Sequence, residues 1–297
     1  MSKTILKVNG LSKVYVNKDV FSKKEKQFQA LKGISFEVNE GEIFSIIGLN
    51  GAGKTSLIKS ILGLIKPTKG SVEIFGKVGV LKEDFNFIGY LPEISYYPRE
   101  VTLKNLMYYY ADLYQIREKK KRVEEVIEKV GLSQKLNVKL EKFSKGMLQR
   151  VGIAQAIINA PKLLILDEPM SGLDPLGRKL MKDLILELHA LGTTVILTTH
   201  ILSDIESFGG RIAIINGGVL KKTFSFVQEE NSHYEIKCEK LGTSETVIVE
   251  EGALSVKLGE LSALGLKILA VEHVRKNLET IFLETISHLN VDKSTLK

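Results

Sequence analysis

Gly48-Leu49-Asn50-Gly51-Ala52-Gly53-Lys54-Thr55 sets a glycine four residues ahead of a Gly-Lys-Thr triplet. Those residue types at that spacing suit the binding of phosphate. Glycines let successive backbone N–H groups curl toward phosphate oxygens, and a helix starting near Lys54 adds its positive end. Asn50, Gly51, Ala52, Gly53 and Ser56 are therefore predicted to line the phosphates. Lys54 is predicted to reach the β- and γ-phosphates, and the Thr55 hydroxyl to ligate Mg2+. Lys54 is followed 113 residues later by Asp167, at the end of the apolar run Leu163-Leu164-Ile165-Leu166 and just before Glu168. A buried strand that delivers a carboxylate to its C-terminal end places it where open α/β sheets bind ligands. Asp167 is predicted to hold magnesium, commonly through water, and Glu168 to polarise the water that attacks the γ-phosphate.

The elements that must position these groups can be read from periodicity and punctuation. ILKVNGLSKVYV and ALKGISFEV read as strands separated by a polar, Lys-rich stretch from Asn17 to Gln27. EIFSIIG is a buried strand feeding directly into the glycine-rich loop and a helix. Residues 70–92 hold short strands ending in FIGYLP. Leu103, Leu106, Met107, Tyr110, Leu113 and Tyr114 follow helical spacing behind Thr102 as N-cap, and Val123, Val126, Ile127 and Val130 form a second helical stripe. A helix from about Lys145 to Asn159 precedes the strand KLLILD, and Asp174-Pro175 opens a further helix. TTVILTTH is a strand, and RIAIINGGVL a hairpin with an Asn-Gly turn. After Phe224, HYEIKCEK, ETVIVEE and LKILAVEHV read as strands, and NLETIFLETISHL as a helix capped by Asn277. The alternation predicts an α/β domain over residues 1–222, with a mainly parallel central sheet and a helical subdomain near 95–160. A small accessory module of strands and helix occupies 223–297.

Three further motifs, in order, make the chain resemble an ATP-binding cassette (ABC) ATPase, the nucleotide-binding subunit of a transporter. Phe143-Ser144-Lys145-Gly146-Met147 is similar to the signature motif, whose consensus is LSGGQ. Ser171-Gly172-Leu173-Asp174 matches the loop after the second carboxylate, and His200 matches the switch histidine. The resemblance covers residues 1 to about 222 and implies a phosphate-loop nucleotide hydrolase fold with an antiparallel N-terminal β-subdomain. It implies ATP and Mg2+ as ligands, His200 as a γ-phosphate contact and Tyr15 as the aromatic that stacks on adenine, with Phe21 or Phe28 as substitutes. It also implies a head-to-tail dimer in which Ser144 of one protomer, whose hydroxyl forms an anion site with the Gly146 N–H, faces the γ-phosphate held by Lys54 of the other, and it implies Asp174 as a nucleotide-binding residue. Separate transmembrane permease subunits are the implied partners, so the chain is expected in the cytoplasm, peripheral on the membrane. Lys145 and Met147 depart from the consensus, and Glu93 stands where the family usually carries Gln, as a residue on the magnesium or coupling side. GYLPE with SKGM resembles a bacterial exporter subfamily handling antibiotics, sodium, lipids or peptides. Tyr96-Tyr97-Pro98 and Tyr108-Tyr109-Tyr110 fall where the family meets its membrane subunit.

Composition narrows the alternatives. Of 297 residues, 44% are hydrophobic and 26% charged, which is ordinary globular usage and excludes collagen-like or broadly disordered chains. A single cysteine, Cys238, excludes an internal disulfide and a thiolate zinc site. MSKTILKVNG reads as no secretory signal, and the longest uncharged stretch, Leu188 to Ser203, is broken by Gly192, threonines and histidines. Residues 1–222 carry 34 basic and 23 acidic side chains, whereas 223–297 carry 8 and 12. The basic body is compatible with a polyanion or an anionic membrane surface. Cassette proteins that act on nucleic acid or ribosomes resemble tandem cassettes, zinc modules or long coiled coils, so no nucleic-acid partner is expected. A nucleotide kinase leaves the signature and His200 unexplained.

Overall fold

Strands buried on both faces read as short apolar runs with no polar alternation, and those of this chain form the centre of the first of its two units. The computed structural model describes residues 3–18, 25–226, 232–240, 243–275 and 278–287. The chain divides into two compact units, Met1–Phe224 and Ser225–Lys297. In the first unit, β1 (Thr4–Lys18) and β2 (Glu25–Asn39) pair antiparallel. β3 (Ile43–Ile47), buried at every position, leads through the glycine-rich loop into α1 (Lys54–Ile61). β4 (Lys69–Ile74) and β5 (Lys77–Val78) complete a four-stranded sheet in the order β2-β1-β4-β5. β6 (Ile88–Leu91) then enters a second sheet. Three helices follow: α2 (Leu103–Leu113), α3 (Lys119–Lys129) and α4 (Lys145–Ile157). β7 (Leu163–Asp167), α5 (Pro175–Ala190), β8 (Thr194–Thr199), α6 (Leu202–Glu206), β9 (Gly210–Asn216) and β10 (Val219–Phe226) close the pattern.

The second sheet runs β10-β9-β3-β8-β7-β6, and the pairs β9–β3, β3–β8, β8–β7 and β7–β6 are all parallel. Parallel pairing puts the C-terminal ends of β3, β6, β7 and β8 along one edge, which brings distant sequence segments together. Leu6, Leu31, Phe44, Ile46, Leu57, Ile58, Ile165 and Ile196 belong to one core that joins the two sheets and α1. Among the described residues no helix is long and apolar enough to cross a membrane.

The helices form at their predicted caps, and most of each stripe is buried or half-buried; on α2, Leu113 is 60% exposed and Tyr114 follows the last helical residue. Thr102 Oγ1 accepts from Asn105 N at 3.3 Å, and Val123, Val126 and Ile127 are buried. Two expectations change. The polar stretch after Val16 does not break the ladder at Asn17: β1 continues to Lys18 and β2 resumes at Glu25, with Asn17 opposite Lys26. Main-chain pairing is indifferent to the polarity of the residues that carry it. The hairpin turn is Gly217-Gly218, both at positive φ (55° and 79°), and Asn216 belongs to the strand. Two consecutive glycines adopt the double positive φ of this turn at lower cost than Asn-Gly.

The second unit is an antiparallel sheet in the order β12-β11-β13, from β11 (Ser232–Lys240), β12 (Thr243–Glu250) and β13 (Lys267–Arg275). Ile236, Cys238 and Val249 pack with Leu261 of α7 (Leu254–Ala263). The sequence reading passed over α7, whose period is weak and whose interior holds Gly259. α8 (Leu278–Ser287) buries Leu278, Ile281 and Phe282; its expected cap, Asn277, lies outside the described residues, as does Phe21.

One glycine decides how closely α4 approaches the sheet. A Cβ on Gly89 of β6 would lie 2.0 Å from the carbonyl oxygen of Ala156 in α4, a contact no side chain can make. Gly89→Ala is expected to push α4 off β6 and cost at least about 3 kcal/mol, the upper range for overpacking. A lowered urea midpoint with an unchanged slope is the expected readout. An unchanged midpoint means that the helix is not seated on the strand this way.

Candidate functional site

The glycine-rich loop leaves β3 and turns into α1 at Gly53, whose φ of 105° and ψ of 4° are open only to glycine at low cost. A Cβ there would lie 2.6 Å from the carbonyl oxygen of Ala30, so β2 and the loop are in direct backbone contact. The hairpin turn holds the loop from the other side, through Gly218 N to Ala52 O (3.0 Å) and Lys32 N to Gly218 O (2.8 Å). A short helix start is thereby fixed in space with its first N–H groups unpaired within the helix, which is the physical basis of an anion site.

The loop borders a cleft of about 300 Å³ lined by Phe28, Ala30, residues 50–56, Glu93 and Glu168. Lys54 Nζ donates to Gly48 O at 2.8 Å and lies 3.3 Å from Glu168 Oε1, with both side chains only 8% exposed. Glu168 Oε2 is 2.8 Å from His200 Nδ1. An ionised carboxylate only accepts, so His200 Nδ1 carries the proton and Nε2 remains for another partner. Glu168 has φ of 53°, in the left-handed region. Holding a residue other than glycine there costs on the order of 1–3 kcal/mol, and its neighbours supply the restraint. Glu168 N donates to Thr198 Oγ1 (3.0 Å) and Thr198 O (3.2 Å). Its carbonyl accepts from Gln149 Nε2 of α4 (3.4 Å), which also donates to Pro169 O (3.2 Å).

Asp167 is fully buried at the end of β7. Oδ1 accepts from the Thr198 hydroxyl at 2.5 Å, whereas Oδ2 is buried with no hydrogen-bond partner. Burial pushes the Asp167 carboxyl above its ordinary range; the hydroxyls of Thr198 and Thr55 oppose that shift, Glu168 adds to it and Lys54 reduces it. Tyr90 of β6 feels the charge of this aspartate and of Glu93. Burial, reinforced by the charges of Asp167 and then Glu93, pushes its phenol up to about 12.

The remaining expected residues sit farther from the loop. Tyr15 is not on the cleft lining, but its hydroxyl lies 3.2 Å from Ser56 Oγ, and Lys13 covers its ring at 5.1 Å. Phe28, directly opposite Tyr15 in the β1–β2 ladder, is the aromatic that lines the cleft. Ser144 caps α4, its Oγ accepting from Met147 N at 3.2 Å, and Asp174 caps α5, its Oδ1 accepting from Gly177 N at 2.9 Å. Ser144, Gly146 and Asp174 are absent from the cleft lining. Thr198 and Gln149 were not anticipated as parts of the site. A larger groove of about 510 Å³, whose lining includes Leu113, Tyr114, Lys121, Arg122 and Ile158, contains none of the phosphate-loop, signature or acidic-pair residues.

The chain is similar to known proteins in sequence and in fold. The family model described as ABC transporter matches residues 31–171, which include the glycine-rich loop, Ser144, Asp167 and Glu168. An uncharacterised ABC transporter ATP-binding protein of Synechocystis sp. is 35% identical over 286 residues, covering 90% of this chain and 81% of the relative. The chain belongs to the ABC transporter ATP-binding proteins. The bacitracin transport ATP-binding protein BcrA of Bacillus licheniformis is 37% identical over 239 residues, 78% of this chain and 74% of BcrA. Among solved structures, the ATP-binding cassette MJ0796, in a dimeric post-hydrolysis state bound to ADP and Pi, superposes with a TM-score of 0.67 at 26% identity. That match covers 74% of this chain and 98% of the other.

As an ABC ATPase the protein binds and hydrolyses ATP, and the glycine-rich loop lines a cleft of the first unit. The buried pair Lys54–Glu168 is then the electrostatic centre of the site, and it is testable without nucleotide. Lys54→Met strands the Glu168 carboxylate inside the fold and is expected to cost about 3 kcal/mol. The same change in a Glu168→Gln background is expected to cost at least about 1 kcal/mol less. Urea unfolding of the four proteins in nucleotide-free buffer measures this coupling, and additive costs would mean that the two groups do not share the field.

Proposed function

We propose that this chain powers export through separate membrane-spanning subunits, with two copies closing head-to-tail over two ATP molecules. The supporting observation is a division of parts. Lys54, Glu168 and His200 form one connected cluster at the cleft, while Ser144 and Gly146 begin a second helix whose N-terminus is absent from that cleft. Two phosphate-competent helix starts on one chain find a use when a second copy brings its Ser144 to the first copy's phosphates. Export is supported by the bacitracin transport relative and by the Glu93 and Lys145 variants, and the membrane subunits would hold the chain on the cytoplasmic face of the membrane.

Thr55 of the cleft lining and the buried Asp167, which is not itself on that lining, fit a magnesium ion. Asp167 Oδ2 is a buried oxygen without a partner, and the Thr55 hydroxyl is close enough to influence that carboxyl. Among the described residues no group of three His, Cys, Asp or Glu side chains could hold a metal by themselves. Such a sparse, all-oxygen donor set suits Mg2+, which keeps water and phosphate oxygens in its shell. In this reading Asp167 and Thr55 hold the ion and Glu93 faces its outer side. Bound Mg2+ neutralises charge on the phosphate oxygens.

The chain's own groups supply the rest. Loop amides and Lys54 hold the phosphates, and Lys54 exchanges its contact with Glu168 for phosphate oxygens. Glu168, freed from that pair and held by His200, accepts a proton from the attacking water, a role typically worth about 10²–10⁴ in rate. His200 keeps Nε2 toward the γ-phosphate, and Asp174 steadies the loop between the two sites. Phe28, with Tyr15 beside it, provides the aromatic surface for adenine, and Ser56 is held by the Tyr15 hydroxyl.

Glu168→Gln is expected to retain ATP, lose turnover by about 10²–10⁴-fold and run as a dimer in size exclusion with Mg-ATP. Glu93→Gln, which keeps the shape but not the charge, is expected to change basal turnover by less than about tenfold while shifting its magnesium dependence. Equal losses for the two variants in a magnesium titration would place Glu93 in the chemistry and remove Glu168 as sole base.

A further inference from the structure

Thr198 is fully buried in β8, a strand buried at every position, and its hydroxyl is satisfied on both sides. It stands directly across the parallel ladder from Asp167. A threonine hydroxyl has one hydrogen. Asp167 Oδ1, 2.5 Å away, can only accept from it when ionised, so that hydrogen is committed to Asp167. The Thr198 oxygen then accepts the N–H of Glu168 at 3.0 Å. One side chain thus bonds to both neighbouring acidic residues, to the side chain of the first and to the backbone of the second.

We propose that Thr198 is the positioning residue of this hydrolytic site: its hydroxyl assigns the two oxygens of Asp167 and holds the left-handed backbone turn that aims Glu168. This inference rests on the reading of Asp167 as the metal-holding carboxylate. Because Oδ1 is engaged by the protein, Oδ2 is the oxygen left for a cation, which agrees with Oδ2 having no partner of its own. Because the Glu168 N–H is engaged, the residue is held at φ of 53°, from which its carboxylate reaches Lys54 and His200 at once. The Glu168 N–H also reaches the Thr198 carbonyl oxygen at 3.2 Å, but no other side chain of the strand offers Asp167 Oδ1 a hydroxyl. Ile196, two residues earlier on the same face, is apolar, and the Thr199 hydroxyl is occupied by Ile201 N at 3.0 Å.

Two isosteric pairs isolate the hydroxyl: Thr against Thr198→Val, and Thr198→Ser against Thr198→Ala. The readout is Mn2+ binding to the ADP complex, followed by the EPR signal of free Mn2+, with metal-free ADP binding as the check that the loop is folded. Outer hydrogen-bond partners of metal-holding residues are typically worth 10–100-fold in affinity or activity. T198V and T198A are therefore expected to weaken Mn2+ binding 10–100-fold, with ADP binding in metal-free buffer changed less than about threefold. T198S should restore Mn2+ binding to within about threefold of the parent. In turnover, T198V should lower kcat with little change in KM for ATP, and Ser should rescue it. If T198V does not fold, the Ser and Ala variants carry the comparison alone. Wild-type Mn2+ affinity in the variants lacking the hydroxyl, or failure of Ser to rescue, overturns the inference. A wild-type ADP complex that holds no Mn2+ overturns the metal reading and this inference with it.

Discussion

Placing two adjacent carboxylates and one ammonium inside a protein is costly unless each charge meets a partner, and the first unit is organised around meeting that requirement. Asp167 and Glu168 follow each other at the end of β7, where Asp167 is fully buried and Glu168 nearly so. Lys54 arrives from α1, His200 from the end of β8 and Gln149 from α4, and each touches Glu168 or its backbone. The cluster is compact because parallel strands deliver their C-terminal ends to one edge, so residues separated by more than a hundred positions become neighbours.

The same requirement explains where the backbone is forced. Glu168 leaves ordinary space at φ of 53°, and Gly53 at φ of 105° lets the loop press against Ala30. Glu168 is one of four residues other than glycine at positive φ among those described, with Phe75, Gln115 and Ala160, and it is the one that lies beside the charges. α4 is seated on β6 through Gly89, and it carries both Ser144 at its start and Gln149 against the Glu168 carbonyl. A displacement of this helix would therefore reach the turn that orients Glu168, giving a physical route from the signature motif to the acidic pair.

Much of this was legible in the chain. The loop, the apolar strand ending in Asp-Glu and the caps at Thr102, Ser144 and Asp174 rest on local chemistry, and local chemistry is what a sequence displays directly. The parallel sheet followed from fully apolar runs alternating with amphipathic helices. What stayed hidden depends on neighbours brought in by folding. Thr198 looks like one more β-branched residue in TTVILTT until the register puts it beside Asp167. Gln149 looks like the polar face of a helix until α4 docks beneath Pro169. Phe28 was one of the aromatics named beside Tyr15, and what folding adds is its place on the cleft lining, opposite Tyr15 in the ladder. α7 was missed because its stripe is short and interrupted by Gly259.

The central claim is that hydrolysis needs the Lys54–Glu168 cluster of one chain and the Ser144 helix start of another. Mixing two inactive variants tests it most directly: Ser144→Arg, which blocks the helix start, and Lys54→Ala, which disables the loop. In a head-to-tail pair the Ser144→Arg chain contributes an intact cluster and the Lys54→Ala chain an intact helix start, so one complete site forms in each mixed dimer. The account predicts ATP turnover in the mixture well above the sum of the two variants alone, rising with protein concentration. Turnover in the mixture no greater than that sum, with mixed dimers demonstrably present, would contradict it.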